Sequence, residues 1–201
     1  MPTNRDVFVN CPFDDGHRAL FHATVFTILR SGFRVRCALE SDDGGVNRFA
    51  KICSIIKECR YGIHDISRTD GDGDPPLPRF NMPLELGVFL GAKYYGKGDQ
   101  KQKRCIVFDV ERYRFQRFIS DLAGQDIHAH KADERILIEE LAAWLREQDR
   151  DPKVPGGRAI AGEYELFKAE LPLICRALAL DIEELTFGDF SGIVAQYLLT
   201  R

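Results

Sequence analysis

Apolar runs and helical stripes alternate along this chain. Val7-Phe-Val9 is a short apolar run that closes in Asn10-Cys-Pro-Phe-Asp-Asp-Gly16, which predicts a buried strand and a turn. Leu20, Phe21, Val25, Ile28 and Leu29 then recur at helical spacing, and Gly32 stops that helix. Arg34-Val-Arg-Cys-Ala-Leu39 predicts a second strand, and Ser41-Asp-Asp-Gly-Gly45 a loop. A helix follows from about Asn47 to Cys59, with Phe49, Ile52, Cys53, Ile55 and Ile56 on one face. Tyr61-Gly-Ile-His-Asp-Ile66 reads as a third strand, and Arg104-Cys-Ile-Val-Phe-Asp109 as the most apolar one. Ile127-His-Ala-His130 is a weaker fifth strand, followed by a helix over 133–146. Between the third strand and the Asn81–Ala92 helix, the segment from Thr69 to Phe80 is rich in turn formers and predicts a mobile loop.

Strands alternating with helices predict an α/β fold: a flavodoxin-like parallel sheet of about five strands with helices on both faces. Right-handed crossovers place each strand's following loop on one edge of the sheet, where open sheets bind ligands. Residues 1–146 are expected to form this α/β domain. The polar stretch 148–157 reads as a linker within a 147–201 region that ends in a C-terminal helical extension. That extension, patterned by Tyr164, Leu166, Phe167, Leu171, Ile174 and Leu178 and then by Phe190, Ile193, Val194, Tyr197 and Leu198, is small for an independent domain. It is expected to pack on the sheet domain or to form a dimer surface.

The chain's 201 residues suffice for one full core, and 44% hydrophobic with 29% charged residues is ordinary for a globular protein. A net charge of -3 gives no general attraction to nucleic acid or to an anionic membrane. No run approaches the ~18 apolar residues of a membrane span. The first residues lack a signal core, so a cytoplasmic location is expected. The six cysteines form no C-x-x-C pair and are expected to be reduced core residues, and neither they nor the histidines have the spacing of a metal site. No Gly-x-Gly-x-x-Gly follows the first strand and no phosphate-binding Gly-Lys-Ser/Thr loop exists, which disfavours a Rossmann dehydrogenase and a P-loop NTPase.

Candidate chemistry gathers on the rim. Glu85 lies in an otherwise apolar helix start, Leu84, Leu86, Val88, Phe89 and Leu90, so this helix is expected to be mostly buried. A buried carboxylate costs several kcal/mol unless it is paired. Pro83 fits the first helical position, which puts Glu85 at roughly the third, where a capping-box glutamate is the plain reading. A nucleophile or a stabiliser of a sugar cation is the sharper one. Asp65 ends the third strand, either as a loop anchor or as a second carboxylate for proton transfer or hydroxyl binding. Asp14 and Asp15 read as turn residues. Arg68 and Arg79 flank the expected mobile loop, either as ordinary surface or as partners for a ligand's phosphate or carboxylate. His64 reads as a structural strand histidine, and Cys11 lacks a base that would make it a nucleophile.

Val7-Phe-Val-Asn-Cys-Pro-Phe13, His64-Asp-Ile-Ser67 and Leu84-Glu-Leu-Gly-Val-Phe-Leu-Gly-Ala92 together resemble, in order, three motifs of the nucleoside 2-deoxyribosyltransferases. The likeness covers about residues 6–110 and extends to the related TIR-like domains, many of which cleave the nicotinamide bond of NAD. It implies N-glycosidic cleavage or transfer on a nucleoside, nucleotide or NAD. Glu85 would be the nucleophile or oxocarbenium stabiliser and Asp65 the ribose-binding or proton-transfer partner. Asn10, Pro12 and Phe13 would wall the pocket, and Cys11, Asp14, Ser67, Arg68 and Asn81 complete the implied substrate-binding set. No cofactor is implied, NAD being a candidate substrate instead. The resemblance further implies a homo-oligomer and, since bacterial relatives often serve in antiphage defence, a defence-system partner protein. Asn10-Cys11 replaces the small Ala-Gly pair of the transferases, and the 145–201 extension matches nothing in them. A non-catalytic nucleotide sensor that signals to a partner is the alternative reading, and a scaffold with no small-molecule role is the plainest.

Overall fold

A computed structural model describes residues 4–41, 43–69, 79–149 and 154–201. Most of the expected loop between Thr69 and Phe80, position 42 of the 41–45 loop, and residues 150–153 of the expected linker lie outside the described residues. Five strands, β1 (Asp6–Asn10), β2 (Arg34–Cys37), β3 (Tyr61–Asp65), β4 (Arg104–Asp109) and β5 (Ile127–Ala129), form one sheet in the order β2-β1-β3-β4-β5. Every neighbouring pair is parallel, with Phe8 beside Arg36 and Gly62, and Ile63 beside Ile106. The strand order reverses between β1 and β3, and Asn10 and His64 are in register there. Crevices at such a reversal are the usual ligand position of open parallel sheets.

Pleating sorts the side chains onto two faces. Val7, Val9, Tyr61, Ile63, Ile106 and Phe108 share one core with helices α1 (Arg18–Arg30) and α4 (Glu134–Asp149). Phe8 faces the other way, onto Ile52, Ile55 and Ile56 of α2 (Arg48–Glu58) and Phe89 of α3 (Asn81–Tyr95). Helices therefore cover both faces, as expected of this α/β fold.

The C-terminal part adds a second helical layer over α1 and α4. Helix α5 (Gly157–Ala177) starts seven residues before Tyr164, so Gly156 and Gly157, expected in the linker, form its cap and first residue. Gly157 is required by space: a Cβ there would lie 2.6 Å from the Cα of Glu139, where α5 crosses α4. Tyr164 and Phe167 pack on Phe26, and Phe190 and Tyr197 of α6 (Phe187–Leu199) close on Phe167. Arg30 of α1 holds Glu163 of α5 through two nitrogens. These helices share one continuous core with the sheet.

Helix α3 departs from expectation in two ways. It starts at Asn81 with Phe80 as its cap, so Pro83 is the third helical residue and Glu85 the fifth, two residues further in than a capping box requires. It is also less buried than its composition demands. Only Met82, Leu86 and Phe89 are buried, while Leu84 and Tyr95 are 54% and 90% exposed. One sheet face and α2 cannot surround a helix that is apolar on all sides. No helix among the described residues is long and apolar enough to cross a membrane.

Candidate functional site

The loops after β1 and β3 and the start of α3 meet at the strand reversal. Asn10 ends β1, is 2% exposed, and spends its amide on the protein: Nδ2 donates to His64 Nδ1 (3.0 Å) and to the Met82 carbonyl (2.8 Å). It acts as a strut joining β1, β3 and α3. Because His64 accepts at Nδ1, its proton is on Nε2, which has no acceptor among the described residues. Burial pushes the His64 pKa down to about 3, with the Lys103 charge adding to it, so this ring is neutral.

Cys11 is buried, and its thiol is pushed well above the usual range, first by burial and then by the negative charges of Asp65, Cys37, Glu85 and Asp14. Asp65, Glu85 and Asp14 all lie within electrostatic reach of it. Pro12 is buried, and Phe13 stands at the surface with its ring edge-on to Phe21 at 5.2 Å. Asn81 is exposed in the first turn of α3.

The two expected carboxylates have different settings. Glu85 rises from α3, which packs on the Phe8 face of the sheet. It is half-buried, and no hydrogen bond or ion pair reaches it among the described residues, so the capping-box reading fails. Burial raises its pKa to about 7, opposed only by the Arg48 charge at the start of α2. Asp65 follows the parity of Tyr61 and Ile63 and turns to the α1 face, 3% exposed. Its Oδ1 accepts the Ser67 N–H at 2.9 Å, which makes a local turn. Its Oδ2 lies 3.2 Å from His130 Nε2 and 3.4 Å from His17 Nε2. Burial alone would raise the Asp65 carboxyl, yet His130, His17 and the Ser67 side chain hold it below the ordinary value.

Four residues in this region were not singled out from sequence: His17, Asp109, Arg114 and His130. Asp109 ends β4, fully buried, and its Oδ1 accepts from the Val110 amide (2.7 Å) and from Arg114 Nε (2.8 Å). Arg114 also donates to the carbonyls of Ile66 and Ser67 and to Thr69 Oγ1, which fixes the chain leaving β3. Asp109 and His130 each sit at the C-terminal end of a strand, as Asp65 does, and that position was the available signal. Arg68 and Arg79, one at each side of residues 70–78, both bind Asp14, Arg68 Nη2 at 3.0 Å and Arg79 Nη1 at 2.8 Å.

Among the described residues no group of three or more His, Cys, Asp or Glu side chains forms a metal site. All six cysteines are unpaired thiols, four of them buried. The rim thus offers one carboxyl group titrating near neutrality, a buried His-Asp-His cluster and a pair of arginines on one carboxylate. No family model matches the chain, and no curated protein matches its sequence.

Proposed function

We propose that the protein cleaves or transfers the N-glycosidic bond of a nucleoside, nucleotide or NAD, with Glu85 as the working carboxylate. The observation that carries this reading is the state of Glu85: half-buried at the strand-reversal edge, bound to no donor among the described residues, and raised to about 7 by burial. A carboxyl tuned to that range exchanges its proton at neutral pH, and perturbed groups in such settings mark reactive sites. In the reaction the bond between C1′ and the base nitrogen breaks, and the electron pair leaves with the base. Ionised Glu85 faces the developing oxocarbenium ion or bonds to C1′. Water or a second base then adds at C1′ and gives up its proton.

Asp65 contributes differently from the sugar-binding role the resemblance implied. Its Oδ1 accepts the Ser67 N–H and its Oδ2 lies buried against the rings of His130 and His17, so we assign it to fixing the β3 edge of the site. The sensor reading shares the same site residues but forms no product. The deciding experiment is incubation with NAD and a panel of nucleosides and nucleotides, followed by chromatography. Released base that disappears in Glu85→Gln supports the proposal. Full activity in that variant, or no product from any substrate, refutes it.

A further inference from the structure

We infer that β5, an open edge of the sheet, is a docking surface for a second copy of this chain, which adds its own β5 antiparallel and joins the two sheets across a twofold axis. The inference does not draw on the chemistry assigned to Glu85.

The strand order leaves β2 and β5 at the two edges. An exposed edge offers unpaired N–H and C=O groups to another strand, so most proteins guard it with charge, proline or a covering element. β2 carries Arg34 and Arg36, which are held by Asp6, Glu40 and Glu58. β5 contains neither a lysine nor a proline, and all three of its residues, Ile127, His128 and Ala129, line an open groove of about 1250 Å³.

The ladder to β4 shows which backbone groups are free. His128 is in register with Phe108, and the His130 amide donates to the Asp109 carbonyl. Backbone groups alternate sides along a strand, so His128 also turns its N–H and C=O toward β4, whereas those of Ile127 and Ala129 point outward. Among the described residues no hydrogen bond reaches these outward groups. Antiparallel addition places Ile127 opposite the second copy's Ala129, and Ala129 opposite its Ile127. Each such pair exchanges both of its N–H···O bonds. The two His128 residues then meet across the axis, each ring 2.8 Å from its own Glu140.

Charge selects this occupant and this direction. Glu111, Arg112, Asp126 and Lys131 line the groove and make no hydrogen bond or ion pair through their side chains among the described residues. Asp126 precedes β5. Glu111, Arg112 and Lys131 lie at the other end, because Asp109 pairs with Ala129 and both chains continue from there. One end of the edge is therefore acidic and the other net positive. A twofold axis brings each copy's Asp126 to the other's Lys131 and Arg112, so one surface complements itself. Parallel addition would set like ends together, and like charges across strands are destabilising. Tyr113 stands at the basic end, 67% exposed and with a φ of 65°. Exposed tyrosines are enriched where surfaces associate.

Sedimentation of the full chain over about 1–100 μM tests the inference, with a concentration-dependent dimer as the expected result. Ala129→Pro removes an outward N–H and spares the ladder to β4, so it should give a monomer with an unchanged circular dichroism spectrum. Asp126→Lys and Lys131→Asp should each weaken dimerisation by roughly ten- to a hundredfold, because each change enters twice across the axis. The double variant should recover most of that loss. In hydrogen exchange the Ile127 and Ala129 amides should slow in the dimer and exchange freely on dilution. A chain that stays monomeric overturns the inference, and slow Ile127 and Ala129 amides in that monomer would assign the edge to a covering segment of the same chain. A dimer that Ala129→Pro leaves intact overturns it as well. So does a double variant that dimerises no better than either single one, since the acidic and basic ends then do not meet.

Discussion

Asp65 Oδ2 lies 3.2 Å from Nε2 of His130, and both side chains are almost completely shielded from water. The Ala132 amide donates to His130 Nδ1 at 2.9 Å, which leaves the ring proton on Nε2, facing the carboxylate. Lys131 and Ala132 have φ of 54° and 56°, a left-handed conformation that costs a non-glycine residue roughly 1–3 kcal/mol when held in place. The strained turn delivers that amide. Removing one partner strands a buried charge or a buried donor, so Asp65→Asn and His130→Ala should each destabilise the fold by about 2–4 kcal/mol. Urea denaturation measures it, and a loss below about 1 kcal/mol in both variants would show that the contact carries no weight.

Acid should destabilise the protein well above the carboxylate range. Burial holds His17, His22 and His64 below their ordinary pKa, His22 at about 4 and His64 at about 3. His22 and His64 are neutral in the folded protein and each gains a proton on unfolding once the pH falls below roughly 6.5, and His17 shifts in the same direction. The unfolded chain then binds more protons, so stability present above 6.5 is lost as the pH drops toward 4, by up to about 1.4 kcal/mol per pH unit for each of His22 and His64. Glu85, raised by burial, works in the opposite sense between about 4.5 and 7, one group against three. Asp65, held low, adds a further loss only below the ordinary carboxylate range. Unfolding free energies at pH 7.5 and 5.5 should differ clearly, and equal values would contradict the burial of these rings.

Glu85→Gln should be inactive and more stable at once. The folded pKa of about 7 lies above the unfolded value near 4.5, so ionised Glu85 opposes folding at neutral and higher pH. Removing the charge should raise stability by about 1–3 kcal/mol at pH 8 after allowance for partial exposure. The gain should vanish near pH 4, where the wild-type carboxyl is protonated in both states. Thermal melts of the two proteins at these pH values give the comparison. A site residue whose loss stabilises the fold is the usual exchange between activity and stability.

Much of the fold was legible because strand parity and helix period are local. Val7 to Val9, Tyr61 to Asp65 and Arg104 to Asp109 declare buried strands, and their order dictates which ends meet. The destination of each side chain at those ends was not local. Nothing near Asp65 in sequence shows that His17 and His130 will close on it, since the three come together only when β1, β3 and β5 align. Lys103 makes the same point. It looks like an ordinary charged residue before a strand, yet it is buried, with Nζ donating to the carbonyls of Ile56 and Cys59 that end α2. Glu85 was identifiable from its apolar neighbours, whereas the start of its helix was misplaced because Pro83 suits the third helical position here as well as the first.

Glycine substitutions should separate two kinds of position. In α3, Gly87 and Gly91 have no heavy atom within 4 Å of an added Cβ among the described residues, and neither has a positive φ. Alanine there should stabilise by about 0.5–1 kcal/mol each, because glycine loses more backbone freedom in a helix interior. At Gly62 a Cβ would lie 2.8 Å from both His64 Nε2 and Phe89 Cε2, and at Gly157 it would meet the backbone of Glu139. The Phe89 ring is fully buried and cannot yield, so Gly62→Ala should cost about 1–3 kcal/mol, and Gly157→Ala at least as much because a backbone must move. Urea midpoints of the four single variants should therefore split around the wild type, two above and two below. A destabilised Gly87→Ala or Gly91→Ala would mean that something packs closely on the outer face of α3 in solution.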